Sequence, residues 1–113
     1  MKRVLLDENL DKRLKNYFSA EFDVTSVPDL GWQSKKNGEL LAAMDESGID
    51  ILLTADRNLR FQQNPEKFSA MVAVVVAHDI RLKNLIGFMK EIETRLLDAN
   101  VSKKIFEIDL RHK

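Results

Sequence analysis

Apolar residues along the chain follow two alternating spacings, and this alternation predicts strands separated by helices. Five short runs rich in β-branched and aliphatic residues stand at 3–6, 22–27, 50–55, 71–77 and 104–109. Between them, apolar residues recur every three or four positions, the spacing of helices that bury one face. This helical spacing occurs at 10–18, 40–44 and 82–97. The succession of strand, helix and strand predicts parallel strands joined by helical crossovers.

The fourth run, Met71 to Ala77, is apolar at every position. A strand of this kind is covered on both faces, as an inner strand of a parallel sheet is. We therefore expect an α/β protein, a three-layer α/β/α sandwich with a mostly parallel sheet of about four or five strands. At 113 residues, the chain is expected to form a single domain over 1–113.

Acidic residues follow several of these runs directly. Asp7 comes after the first run, Asp56 after the third and Asp79 after the fourth, and Glu39 lies near the start of the helix that follows the second. Right-handed crossovers bring the loops after parallel strands to one edge of the sheet. We therefore expect these carboxylates at a common edge, which is where open α/β sheets bind ligands.

A cluster of carboxylates at that edge favours a divalent cation. Neighbouring carboxylates raise one another's pKa, and a hard cation removes that cost. Mg²⁺ and Mn²⁺ prefer carboxylate and water oxygens and leave positions open for water and phosphate. The pattern therefore favours metal-assisted hydrolysis of a phosphodiester.

Simpler roles stay open for each acid. Asp56 is a candidate N-cap for a short helix that starts at Arg57. Glu39 would also stabilise the positive end of its own helix. Asp7 has the weakest alternative role, because Asn9 is available to cap the first helix.

The third run leads into a strongly polar stretch, TADRNLRFQQN at 54–64. Its amides are able to end a short helix before Pro65, which holds the preceding residue extended. At the edge of a site, the same amides and arginines would bind phosphate, ribose or a base edge. We predict that five residues of this stretch bind substrate: Arg57, Asn58, Arg60, Gln62 and Asn64.

Composition limits where nucleic acid is able to bind. The chain has 18 basic and 18 acidic residues, whereas dedicated duplex-DNA binders usually have a basic excess. Cysteine is absent, which excludes a thiolate metal site and is compatible with a reducing compartment. No apolar run approaches the roughly 20 residues of a membrane span. We therefore expect a cytoplasmic protein with no membrane partner, in which any nucleic acid binds to a local patch.

Three motifs, LLDENL at 5–10, KNGELL at 36–41 and TADRNLRFQQN at 54–64, resemble a small bacterial branch of the PIN-like nuclease superfamily. The resemblance spans nearly the whole chain, and the third motif is the most specific. It implies a compact α/β/α fold and RNA cleavage of the VapC type that depends on Mg²⁺ or Mn²⁺. The family is often placed near toxin–antitoxin modules, so the resemblance also implies an antitoxin protein as a partner.

Residue by residue, the acid on the family's first strand corresponds to Asp7, its helix acid to Glu39 and the acid after the next strand to Asp56. The resemblance implies that these three hold the metal and act in catalysis. The superfamily commonly has a fourth acid shortly after the third, and none stands there in this chain. Asn58 or Asp79 is therefore the candidate fourth ligand.

The sequence leaves three functions open. The first is a ribonuclease, the toxin of a toxin–antitoxin pair. The second is a PIN-like module that binds RNA or protein without cutting, which the missing fourth acid and the zero net charge favour. The third is a receiver-like phosphoacceptor, since such domains also place acids where Asp7, Glu8 and Asp56 stand. Receivers need a lysine, usually followed by proline, after the last strand, and this chain has no Lys-Pro there.

The segment 82–98 carries more apolar residues than one covering face of a helix needs. This excess predicts a homodimer that pairs through a long helix.

Overall fold

The computed structural model describes residues 1–58, 67–99 and 104–111. Within them, five strands form one sheet in which all neighbouring strands are parallel. The strands are β1 (Lys2–Leu6), β2 (Phe22–Ser26), β3 (Ile51–Thr54), β4 (Met71–Val76) and β5 (Ile105–Asp109). Each β-rich run of the sequence forms one of them, so the predicted parallel α/β fold is confirmed.

The order of strands across the sheet is β2-β1-β3-β4-β5. The chain begins on an inner strand, adds β2 on one side, and then crosses β1 to place β3 on the other side. The direction in which strands are added therefore reverses between β1 and β3. In open α/β sheets, ligands bind in the crevice outside the carboxyl ends of the strands at this reversal.

Helical segments cover the sheet. They are α1 (Val27–Leu30), α2 (Asn37–Ser47), α3 (Leu82–Leu85) and α4 (Met89–Leu97), with 3-10 helices at Lys12–Tyr17 and Ile86–Phe88. We call Lys12–Tyr17 the first 3-10 helix. In the described part of the chain, no helix has the length and apolar character needed to cross a membrane.

The core consists of two apolar clusters, one on each face of the sheet. Successive strand residues alternate between them: Leu52 packs in the cluster that contains Met44 of α2, and Leu53 in the cluster that contains Ile92 of α4. All four of these side chains are fully buried. Burial on both faces explains why the inner strands are apolar at nearly every position.

The first helix differs from the prediction in its type and its cap. The segment forms a 3-10 helix, and its N-cap is Asp11, whose carboxylate accepts a hydrogen bond from the Arg13 N–H at 2.9 Å. The expectation that Asn9 caps this helix is therefore wrong. The Asn9 side chain instead forms hydrogen bonds with the Thr54 hydroxyl and the Ala55 N–H.

The helix predicted over 82–98 is interrupted. A 3-10 turn that contains Gly87 separates α3 from α4, and glycine is about 1 kcal/mol less favourable than alanine inside a helix. Ile86 and Leu97 remain exposed, at 37% and 42% of their surface. The homodimer expected from this segment stays a prediction.

The end of α2 provides a test of how tightly the fold constrains a turn. Gly48 ends this helix with a φ of 72°, and side chains other than glycine cost roughly 1–2 kcal/mol in that left-handed conformation. A Cβ at this position would also lie 3.2 Å from Nη1 of Arg3. We expect Gly48→Ala to lower the free energy of unfolding by about 1–2 kcal/mol, measured by urea denaturation.

Two other glycines serve as matched controls. Gly31 has a φ of 71°, but a Cβ there would meet nothing within 4 Å, and Gly87 has neither the positive φ nor a close neighbour. The loss of stability should therefore be largest for Gly48→Ala, smaller for Gly31→Ala and absent for Gly87→Ala. Equal losses for Gly48→Ala and Gly87→Ala would contradict this explanation.

Candidate functional site

Asp7 and Thr54 face each other at the carboxyl ends of β1 and β3. Leu6 pairs with Leu53, so one further step along both strands places Asp7 beside Thr54. The Asp7 N–H continues the ladder by donating to the Leu53 carbonyl at 2.9 Å. The Thr54 hydroxyl donates to Oδ2 of Asp7 at 2.7 Å. The predicted acid of the first strand therefore lies at the reversal of strand order, bound to the neighbouring strand.

Thr54 is fully buried, and its hydroxyl is hydrogen-bonded to three other residues. Besides donating to Asp7, Oγ1 accepts from Nδ2 of Asn9 and from the N–H of Asp56, both at 3.1 Å. A hydroxyl offers one donor and two acceptor lone pairs, so every position is used. Because both other partners are N–H donors, the hydroxyl proton has to point at Asp7.

Asn9 also connects the ends of β1 and β3, which meet at a junction formed by Asp7, Thr54 and Asp56. Its Oδ1 accepts from the Ala55 N–H at 3.0 Å, while its Nδ2 donates to Thr54. One amide side chain from the loop after β1 thereby holds two consecutive residues after β3. The second oxygen of Asp7, Oδ1, accepts from the Glu8 N–H at 2.8 Å. Both oxygens of this carboxylate thus have fixed directions.

Asp56 begins a turn immediately after this junction. Its Oδ1 accepts from the Asn58 N–H at 3.0 Å, a local contact typical of Asp in turns and at helix starts. The side chains of Arg57 and Asn58 are exposed beside it. The other predicted substrate contacts, Arg60, Gln62 and Asn64, lie outside the described residues.

Glu39 makes a different kind of contact from the one predicted. The helix α2 begins at Asn37 with Lys36 as its N-cap. The Glu39 carboxylate accepts from the Lys36 N–H at 2.9 Å. A lysine side chain cannot accept a bond in return, so only this half of a capping box forms. Glu39 therefore has the helix-terminal role that was its simpler alternative.

The described residues contain no group of three or more His, Cys, Asp or Glu side chains placed to hold a metal ion. Asp7, Glu39 and Asp56 all belong to the described part of the chain. The structure links Asp7 to Asp56 through Thr54, and it engages Glu39 with its own helix. A metal site made of all three acids stays a prediction.

Within the described residues, three aspartates each accept hydrogen bonds from the arginine two residues later in the sequence. We call these pairs Asp-x-Arg clamps. In each clamp, the carboxylate accepts from the arginine's backbone N–H and from its Nε and Nη2. The pairs are Asp11–Arg13, Asp79–Arg81 and Asp109–Arg111. Hydrogen bonds from the guanidiniums lower the pKa of Asp11 and of Asp79 to about 2. Asp79, a candidate fourth ligand, is therefore already engaged by Arg81.

An open cleft of about 770 Å³ lies between the first 3-10 helix and α3, close to the junction. Its polar lining comes mainly from cations, and its apolar lining includes one aromatic ring. Its lining includes Asn9, Arg13, Tyr17, Arg81, Lys83 and Ile86. Asn9 also donates to Thr54, so one residue of the lining contacts the Asp7–Thr54–Asp56 junction.

Comparisons with protein-family models, curated proteins and solved structures found no match. The resemblance to the PIN-like nuclease superfamily therefore stays a prediction from the three motifs.

The hydroxyl of Thr54 provides a direct test of the junction. Thr54→Val keeps nearly the same shape but leaves Asp7, Asn9 and the Asp56 N–H each short of one partner. An intramolecular hydrogen bond contributes a net of about 0.5–1.5 kcal/mol, and this variant loses three, although water reaches the exposed Asn9 and the half-buried Asp7 and Asp56. We expect this variant to lose about 2–3 kcal/mol in free energy of unfolding, measured by urea denaturation.

Thr54→Ser is the matched control, because it keeps the hydroxyl and removes only a buried methyl. We expect it to lose about 1 kcal/mol. If Thr54→Val proved as stable as Thr54→Ser, the hydroxyl would not hold the junction together.

Proposed function

We propose that the protein is a metal-dependent ribonuclease of the PIN-like type, which hydrolyses RNA phosphodiesters at the carboxyl ends of β1 and β3. One observation carries the proposal. Asp7 and Asp56 follow the neighbouring strands β1 and β3 at the reversal of strand order, where the Thr54 hydroxyl donates to the Asp7 carboxylate and accepts from the Asp56 backbone N–H. A toxin role, an antitoxin partner and a homodimer stay predictions from the sequence.

The donors at this junction are compatible with Mg²⁺ or Mn²⁺. Mg²⁺ commonly binds one or two carboxylates, keeps several waters and takes further oxygens from substrate phosphate. Asp7 and Asp56 fit that small set, and each hydrogen-bonded carboxylate oxygen keeps a second lone pair. When bound, the ion would supply a water of lowered pKa and positive charge beside the phosphate.

The residues around the carboxylates keep them in place before substrate arrives. Thr54 and the Glu8 N–H fix the two oxygens of Asp7, and the contact with the Asn58 N–H fixes one oxygen of Asp56. Hydrogen bonds of this kind orient metal ligands, and losing one typically lowers metal affinity or activity about 10–100-fold. Arg57 is exposed in the same turn, and its guanidinium would bind a phosphate there.

A second function is favoured by the size of the acidic group. Two acids at this junction, Asp7 and Asp56, are fewer than the three or four that the resemblance implies, and Glu39 and Asp79 are engaged locally. A smaller set of carboxylates binds a divalent cation less tightly. This observation favours the alternative in which the protein binds RNA without cutting it.

The experiment is cleavage of a fluorescently labelled single-stranded RNA in Mn²⁺, with Mn²⁺ binding measured in parallel by calorimetry. We expect Asp7→Asn and Asp56→Asn each to reduce cleavage by about 100-fold or more, since even indirect ligand contacts are worth 10–100-fold. Glu46→Gln, which removes an exposed acid from the far end of α2, is the control and should cleave normally.

Glu39→Gln separates the two roles of that residue. A loss of Mn²⁺ affinity would make Glu39 a ligand, whereas a loss of thermal stability alone would leave it as a helix cap. If the wild-type protein binds RNA but cleaves none at any Mn²⁺ concentration, the ribonuclease proposal fails and the binding module stands.

A further inference from the structure

The Asp-x-Arg clamps fix which edge of each guanidinium faces outward. The carboxylate occupies the edge formed by Nε and Nη2. A guanidinium is planar with five N–H donors, so the Nη1 side and the outer N–H of Nη2 point away from the aspartate. The side chains of Arg13 and Arg81 are 69% and 70% exposed. Each clamp thus presents a pre-oriented pair of donors, which suits bidentate binding of phosphate.

Two of the three clamps open into the same cleft. Arg13 enters it from the first 3-10 helix, and Arg81 and Lys83 enter from the start of α3. Three cations here face two carboxylates, those of Asp11 and Asp79, so the local excess is one positive charge. The net electrostatic attraction of the cleft for an anion is therefore small. Selective binding of phosphate would have to come from the fixed orientation of the arginine N–H donors.

The cleft also contains apolar surface that is suited to a base. Tyr17 is 49% exposed and Ile86 is 37% exposed, and both line the cleft beside the arginines. Aromatic side chains next to cations are the usual combination for binding single-stranded nucleic acid, with bases on the rings and phosphates on the cations.

Asn9 sets the position of the cleft relative to the carboxylates. It lines the cleft and donates from Nδ2 to Thr54, which in turn donates to Asp7. A chain of nucleotides with one phosphate at Asp7 and Asp56 would therefore have the cleft beside it, on the Asn9 side.

We propose that the cleft between the first 3-10 helix and α3 binds the sugar–phosphate backbone of single-stranded RNA next to the bond that is cut. Arg13 and Arg81 contact phosphates, Tyr17 stacks on a base, and Asp11 and Asp79 act as positioning residues. The identity of the nucleic acid rests on the proposed function, but binding in the cleft requires no metal. A protein with acidic side chains is the competing occupant.

The test is fluorescence anisotropy of a short labelled single-stranded RNA in EDTA, where no metal-dependent cleavage takes place, repeated over a range of salt. We expect Arg13→Gln and Arg81→Gln each to bind about tenfold more weakly, the size of one hydrogen bond to a charged group. Each should also reduce the slope of log affinity against log salt by about 0.7. Lys67→Gln, which removes an exposed cation before the start of β4, is the control for lost charge.

The clamps themselves are tested by removing an acid. Asp79→Asn adds one positive charge to the protein but releases the Arg81 side chain. We expect it to weaken binding about two- to tenfold, the cost of ordering a mobile side chain, whereas attraction by charge alone predicts tighter binding. Glu21→Gln makes the same change of charge before β2 and should not weaken binding. Arg81→Lys keeps the charge without the planar donors, and it should weaken binding as well.

Thermal unfolding of every variant verifies that it is folded before its affinity is compared. The proposal is overturned if Arg13→Gln and Arg81→Gln match Lys67→Gln, or if Asp79→Asn binds as tightly as the wild type. It is also overturned if polyglutamate binds to the cleft and RNA does not. Cleavage by the wild type and by Asp7→Asn tests the ribonuclease proposal, whereas RNA affinity in EDTA tests the cleft. The two proposals are therefore able to fail separately.

Discussion

The hydrogen bonds of one buried hydroxyl, Oγ1 of Thr54, hold the carboxyl ends of β1 and β3 together. This group directs Asp7, anchors the turn that begins at Asp56 and receives the amide of Asn9. The parallel register between β1 and β3 brings these groups within reach of one another. Because the strand order reverses at the same place, the hydroxyl stabilises the junction and also shapes the site.

The strands could be predicted because buried strands require short runs of apolar residues, and β4 is apolar on both faces. Parallel topology then placed Asp7 and Asp56 at one edge without further information. Thr54 and Asn9 could not be predicted in the same way, because their roles depend on the register between strands that are distant in sequence. Their only signal is that both flank the acids, Asn9 two residues after Asp7 and Thr54 two residues before Asp56.

Two of the predicted acids, Glu39 and Asp79, are engaged by groups close to them in the sequence. Glu39 is bound by the backbone three residues before it, and Asp79 by an arginine two residues after it. Such contacts form within one turn of chain, and a list of acidic positions cannot distinguish them from ligands. The same contacts at Asp11 and Asp79 orient arginines in the cleft. The acids of these two clamps thus hold the cations that would contact the proposed substrate.

We propose that Asp7 and Asp56 form one cation site at the β1–β3 junction. Such a site would be detected by the loss of backbone amide signals in NMR spectra as Mn²⁺ is added at well below one equivalent. We expect the amides of Asp7, Glu8 and Asp56 to broaden first, with the effect abolished in Asp7→Asn. Broadening centred elsewhere, or spread evenly over exposed acids, would contradict a site at the junction.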